Sequence, residues 1–273
     1  MDELAGKVAV VTGGANGIGF GMAQAFADEG MRIVLADTDI ERLEAARTVL
    51  TDKGADVLAV PTDVSDATAV QYLRDAAFER FGTAHVLCNN VGIGANGPLV
   101  EPIDLSTWHR VLDINFFSAL HGIDAFLPRL LEQGEGHIVN TSSRQGLISS
   151  PHLGPYPPSK FALVALTEML HAELAALGTA VSASLLTPGG VLTGQMLQAR
   201  DSLARGEITN PATKAFLTSR LADSVDPYDV GRLVVRAIRG GHLYINTHRE
   251  TVDWMRERID RIAADCDSLG TLR

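Results

Sequence analysis

Tyr156 and Lys160 stand four residues apart in the segment GPYPPSKFALVALTEML. On a helix that spacing places a phenol and an ammonium on one face. An isolated Tyr titrates near ~10, too high for proton exchange at neutral pH. A fixed cation beside it favours the phenolate and turns the pair into a usable general acid–base. The Y-x-x-x-K spacing also arises by chance in many proteins. Its weight here comes from what precedes it: Ser143, Asn115 and a glycine-rich turn at 12–19.

That turn, Thr12-Gly-Gly-Ala-Asn-Gly-Ile-Gly19, separates an apolar run from a helical pattern. Glycines let the backbone bend tightly and approach a pyrophosphate, which rests on the helix N-terminus. Gly13, Asn16, Gly17, Ile18 and Gly19 are the expected contacts. Asp37 ends the next apolar run, RIVLAD, 18 residues after Gly19. A carboxylate there accepts the ribose hydroxyls of an adenosine and repels a 2′-phosphate. Thr38 is neutral, and Asn16 stands where a basic residue would favour a phosphate, so NAD is expected over NADP. Asp39 is the better helix cap of the two acids. Asp63 and Val64 follow the third run and can reach the adenine edge. Asn90 and Gly92 follow the fourth, where Gly leaves room for a ribose.

The elements that must position these residues alternate along the chain. Apolar runs at Lys7–Val11, Arg32–Ala36, Asp56–Val60, His85–Cys88, His137–Thr141, Val181–Leu186 and His242–Ile245 read as strands. Helical patterns lie between them at Ile18–Glu29, Ile40–Lys53, Ala67–Phe81, Leu105–Glu132, along the Tyr156–Lys160 segment and at Pro227–Arg239. Strands apolar throughout, with helices between, imply a parallel sheet covered on both faces. The expected fold is α/β, a doubly wound Rossmann fold with about seven parallel strands, whose ligands lie beyond the C-terminal strand edges. Residues 1–273 read as one such domain. The 191–225 excursion breaks the rhythm and reads as a substrate lid. The amphipathic tail at 250–273 carries Trp254, Ile259 and Ile262, which suit covering the core, the site mouth or a neighbouring subunit.

Composition narrows the function classes. With 46% hydrophobic and 21% charged residues, a packed core is expected. The net charge of −10 argues against a nucleic-acid partner, which needs a basic face. No apolar stretch is long enough for a membrane span. MDELAGKVAVVTGG lacks the features of a signal peptide, and two cysteines make no disulfide framework. A cytoplasmic setting is therefore expected, with Cys88 packed in a strand and no metal site.

The chain resembles the short-chain dehydrogenase/reductase family. The resemblance rests on T-G-G-A-N-G-I-G (12–19), D-V (63–64), N-N-V-G (89–92), Asn115, S-S (142–143), Y-P-P-S-K (156–160) and P-G (188–189). It implies a catalytic tetrad of Asn115, Ser143, Tyr156 and Lys160. Ser143 is favoured over Ser142 because it lies 13 residues before Tyr156. Tyr156 would exchange a proton with the substrate oxygen, and Lys160 would lower the Tyr pKa and hold the nicotinamide ribose. Ser143 would steady charge on the reacting oxygen, and Asn115 would anchor a water leading to Lys160. Pro188, Gly189, Val191 and Thr193 would close over the nicotinamide carboxamide. The family usually assembles as tetramers, so a homotetramer or homodimer is expected. Pro157 and Pro158 suit a first helical turn and set Tyr156 at the helix lip.

Around the reacting centre the expected positions are Ile93, Gln145, Leu147, Leu153, Gly190 and Met196, with Ser143, Gln145, Leu153, Tyr156 and Met196 as substrate contacts. They are mostly apolar and imply a hydrophobic or aromatic secondary alcohol, or its ketone. Arg144 is expected to point away, because neighbours on a strand alternate faces. GFGMAQAFADEGMRIVLAD, GPYPPSK and HLYINTHRE also resemble a branch that includes Cα-dehydrogenases of lignin-derived aryl ethers. The alternatives are an NADP-dependent ketoreductase and a non-catalytic dinucleotide-sensing protein.

Overall fold

β1 (Val8–Thr12) is buried at every residue, as a β-branched strand covered on both faces must be. The computed structural model describes residues 1–95 and 97–270, apart from the side chains of Gln195, Ala212, Thr213, Phe216 and Arg220. Asn96 and the last three residues of the 250–273 tail lie outside the described residues. β1 pairs in parallel with β2 (Arg32–Asp37) and β4 (Val86–Asn89). With β3 (Val57–Pro61), β5 (Gly136–Thr141), β6 (Val181–Thr187) and β7 (Tyr244–Asn246) they form one parallel sheet ordered β3-β2-β1-β4-β5-β6-β7. The order reverses between β1 and β4, which opens a crevice at their C-terminal ends.

Helices cover both faces. α1 (Gly17–Asp28), α2 (Ile40–Asp52) and α9 (Pro227–Gly240) bury Met22, Phe26, Leu43, Leu50 and Val234 on one face. α3 (Ala67–Phe81), α5 (Ser118–Gln133) and α6 (Tyr156–Ala176) bury Leu73, Phe126, Leu130 and Leu170 on the other. No described helix is long and apolar enough to cross a membrane.

Four expectations change. The helix expected over Leu105–Glu132 is α4 (Leu105–Leu112) and α5 joined by a π-helical turn, Asp113–Phe117. One extra residue per turn leaves the apolar pattern on either side intact, so periodicity does not reveal it. The 191–225 excursion holds two helices, α7 (Gly194–Ala204) and α8 (Pro211–Ala222). The last strand starts later than His242, because the His242 N–H donates to the Ala237 carbonyl and closes α9. Ile259 and Ile262, on α10 (Glu250–Leu269), are more than half exposed and cover no core among the described residues.

Candidate active site

The crevice opens into a cavity of about 860 Å³. Of the expected site residues, all line it except Leu147, Gly190, Gly19 and Asn115. Gly19 and Asn115 act from behind its wall. A Cβ on Gly19 would stand 2.1 Å from the Gly13 carbonyl oxygen, so glycine there lets α1 approach the turn. The turn itself needs positive φ at Gly13 (63°) and Gly17 (55°). Asn16 starts α1 without a side-chain cap, which leaves the first helical N–H groups facing the cavity side of the turn.

Asp37 is oriented by that same turn. Its carboxylate accepts from Ala15 N (3.3 Å) and Asp39 N (3.2 Å). Asp39 caps α2 through Arg42 N, as its position suggested. The Asp63 carboxylate accepts from the Ser65 hydroxyl (2.7 Å) and Ser65 N–H (2.9 Å), which hold it below the usual carboxylate range. Asn90 joins strand ends: its N–H donates to Thr12 Oγ1 (2.9 Å) and its Nδ2 to the Thr12 carbonyl (3.1 Å), while Thr141 Oγ1 donates to its Oδ1 (3.2 Å).

Tyr156 opens α6 with Pro157 and Pro158 in the first turn, where a missing N–H leaves no gap in the helix. One turn later Lys160 is only 2% exposed. Its Nζ donates to the Thr141 carbonyl (3.0 Å) and lies 5.9 Å from the centroid of the Tyr156 ring. Burial pushes its pKa down to about 7. Gly92 leaves room above it: a Cβ there would stand 2.9 Å from Lys160 Nζ and 3.5 Å from Asn115 Oδ1.

Asn115 sits in the π-helical turn and is 1% exposed. Its Oδ1 accepts from Ile93 N (2.7 Å), and its Nδ2 donates to the Ile93 carbonyl (3.0 Å) and to Ser159 Oγ (3.0 Å). The side chain thus clamps the loop after β4 against α6. Both of its amide hydrogens are engaged, so a water could meet only Oδ1 or the main chain. Ser159 completes the link by donating to the Tyr156 carbonyl (2.7 Å). Apart from its place in Y-P-P-S-K, nothing in the sequence marked Ser159.

The two serines after β5 engage different partners. Ser142 Oγ donates to the Lys160 carbonyl (2.8 Å) and fastens β5 to α6. Ser143 Oγ accepts from Gln145 N (3.1 Å) and faces the cavity, at the head of the 3-10 turn Arg144–Gly146. Gln145, Leu153 and Met196 line the wall beside it. Leu147 does not: it packs with Val164 and Leu185 beneath the turn. Gly190 also lies outside the lining; its carbonyl accepts from Val225 N. Arg110 on α4 and Ile114 in the π-helical turn do line the cavity, one turn apart. Their i, i+4 spacing was the available signal.

Beyond β6, Gly189 N–H donates to Thr247 Oγ1 (2.9 Å), and Val191 bridges to Val225. Thr193 reaches back to the glycine turn, so that a Cβ on Gly17 would stand 3.3 Å from its Cγ2. Pro188, Gly189, Val191 and Thr193 therefore face the same opening as the start of α1.

Known proteins resemble this chain in sequence and fold. The short chain dehydrogenase family model matches residues 7–203. The 1-deoxy-11-beta-hydroxypentalenate dehydrogenase of Streptomyces avermitilis is 40% identical over 193 residues, 70% of this chain and 71% of that protein. A short-chain dehydrogenase/reductase from Burkholderia phymatum, solved in complex with NAD, is 39% identical with a TM-score of 0.87 over 97% of each chain. The apo form of LigO from Sphingobium sp. strain SYK-6 is 28% identical with a TM-score of 0.83, covering 100% of this chain and 93% of its own. The glycine turn, the crevice at the reversed strand order and the match across residues 7–203 agree, and the chain belongs to the short-chain dehydrogenase/reductase family of oxidoreductases.

Proposed function

We propose that the chain interconverts a hydrophobic secondary alcohol, aryl carbinols included, and its ketone, using NAD(H). The observation that carries this reading is Lys160, buried beside the Tyr156 ring in the same cavity as the glycine turn and Asp37. The residues fit a dinucleotide. Gly13 and Gly17 form a cradle that side chains would strain, the first N–H groups of α1 face it, and Asp37 is set to accept ribose hydroxyls. The NAD in the Burkholderia phymatum complex supports the same cofactor here. The hydroxylated substrate in the name of the Streptomyces avermitilis enzyme supports chemistry at CH–OH.

When bound, a nicotinamide supplies hydride acceptance and donation, which no side chain provides. Tyr156 takes the hydroxyl proton of the alcohol during oxidation and returns it to the ketone oxygen during reduction. Lys160 in its charged form favours the phenolate, and Ser143 Oγ donates to the reacting oxygen as its charge grows. Asn115 positions the loop after β4 at Ile93 and, through Ser159, the first turn of α6. Val191, Met196 and Leu153 give the opening an apolar wall that suits an uncharged ring or chain. We read 191–225 as the lid over this opening. Exposed Phe117 in the π-helical turn and Met169 on α6 fit a homodimer or homotetramer.

A panel of aryl carbinols and small polyols, each with NAD and with NADP, tests the reading. NAD-linked oxidation of the carbinols is the expected result. Rapid turnover of polyols alone would reject the apolar site, and a preference for NADP would favour the ketoreductase alternative. NAD binding without any hydride transfer would favour a sensing protein.

A further inference from the structure

Arg144 directly follows the candidate serine and lines the same cavity, and its guanidinium turns toward Asp223 and Trp254. Its guanidinium lies 3.6 Å from the Asp223 carboxylate and 5.4 Å from the centroid of the Trp254 ring. Its own N–H donates to the Pro188 carbonyl (3.0 Å). One residue thus joins the serine turn, the exit of β6, the return end of the 191–225 excursion and the C-terminal helix. A second tie runs behind it. Gly189 N–H donates to Thr247 Oγ1, which lies 2.6 Å from His248 Nδ1, and His248 Nε2 donates to the Asp223 carbonyl (2.7 Å). His248 is 7% exposed and stands against Gly189, where a Cβ would come within 2.4 Å of its Nδ1.

We infer that Arg144 is a positioning residue whose guanidinium latches the return end of the excursion to the serine turn. The excursion matters to the site because Thr193 and Met196, at its outgoing end, line the cavity. Its two ends meet at the Val191–Val225 bridge, and Asp223 lies two residues before that bridge. Holding Asp223 therefore fixes where α7 can stand over the opening. An Arg suits this post, because its planar group can meet a carboxylate while it stacks on an indole. The link to catalysis rests on the alcohol-oxidation reading above, but the latch itself does not.

Backbone hydrogen exchange of the full ligand-free chain tests the latch without any substrate. Arg144→Met keeps the stem and removes the charge. Exchange across 191–225 should rise about tenfold, with β1–β5 unchanged, as expected for loss of one local contact. Asp223→Asn should act alike, and the double variant should be no worse than either single one, because both remove the same contact. Arg144→Lys should fall between. With NAD and 1-phenylethanol, Arg144→Met should raise KM about fivefold and hold kcat within about twofold, as for lost uniform binding. Unchanged exchange in 191–225, a rise spread evenly over the sheet, or additive single variants would each overturn the latch. A native chain that transfers no hydride overturns the functional reading alone, and the exchange arm still decides on Arg144.

Discussion

At the C-terminal end of β5, Ser143 and Lys160 border a cavity; near the N-terminal end of the same strand, His137 meets only protein. His137 Nε2 lies 2.7 Å from Ser184 Oγ and its Nδ1 2.8 Å from Ser182 Oγ, while Ser184 Oγ donates to the His242 carbonyl (2.5 Å). Each polar atom there has a partner, and burial pushes the His137 pKa down to about 3. Lys160 is as deeply buried and shifts in the same direction, but it stands beside open space kept by Gly92. Burial alone therefore does not mark a reacting group. What separates the two ends is whether a cavity gives the shifted group something to act on.

The comparison can be broken most forcefully at Tyr156. Tyr156→Phe should lower kcat/KM for the best alcohol by about 10²- to 10⁴-fold, the usual range for general acid–base loss, with an unaltered melting temperature. Undiminished turnover would make the cavity end no more chemical than the His137 end. A smaller effect is expected at Asp37. Asp37→Ala should weaken NAD roughly 10- to 100-fold by calorimetry, the scale of hydrogen bonds to a charged group, and narrow the gap to NADP. If NAD binds as tightly as before, the turn holds no ribose there. The smallest effect belongs to the closed end. His137 stays neutral in the native chain while the unfolded chain takes up a proton near pH 6.5. Its contribution to stability is complete above that pH and falls as pH drops from about 6.5 toward about 3, by up to ~1.4 kcal/mol per pH unit. Urea unfolding of His137→Gln against the parent between about pH 5 and 8 should show that slope missing from the variant. Equal slopes would mean that His137 is charged in the native state.

The parts of this molecule that could be read beforehand are those encoded by neighbours in the chain. The glycine turn, Asp37 and the Tyr156–Lys160 pair each owe their geometry to a few consecutive residues within one strand–turn–helix unit. The 13-residue interval to Tyr156 favours Ser143 over Ser142, and in the structure Ser142 Oγ donates to the Lys160 carbonyl while Ser143 Oγ accepts from Gln145 N–H at the cavity wall. The unreadable parts join distant segments. Asn115 clamping Ile93 depends on a π-helical turn that leaves no trace in the apolar pattern. Ser159, Arg110 and Ile114 acquire a place at the site only once α4, α5 and α6 pack. Leu147 is expected near the reacting centre, yet after the 3-10 turn it packs into the core against Val164 and Leu185. The contact of Arg144 with Asp223 joins two loops that only the sheet order brings together.

Burial that pushes the Lys160 pKa down to about 7 makes its charge depend on its surroundings. Buried beside the Tyr156 ring with its Nζ donating to the Thr141 carbonyl, the ammonium is costly in the ligand-free protein. Oxygen atoms brought close to it by an incoming molecule would repay that cost and draw a proton onto the nitrogen. The electrostatic help given to the phenol is then conditional on occupancy, which couples readiness for proton exchange to the filling of the crevice.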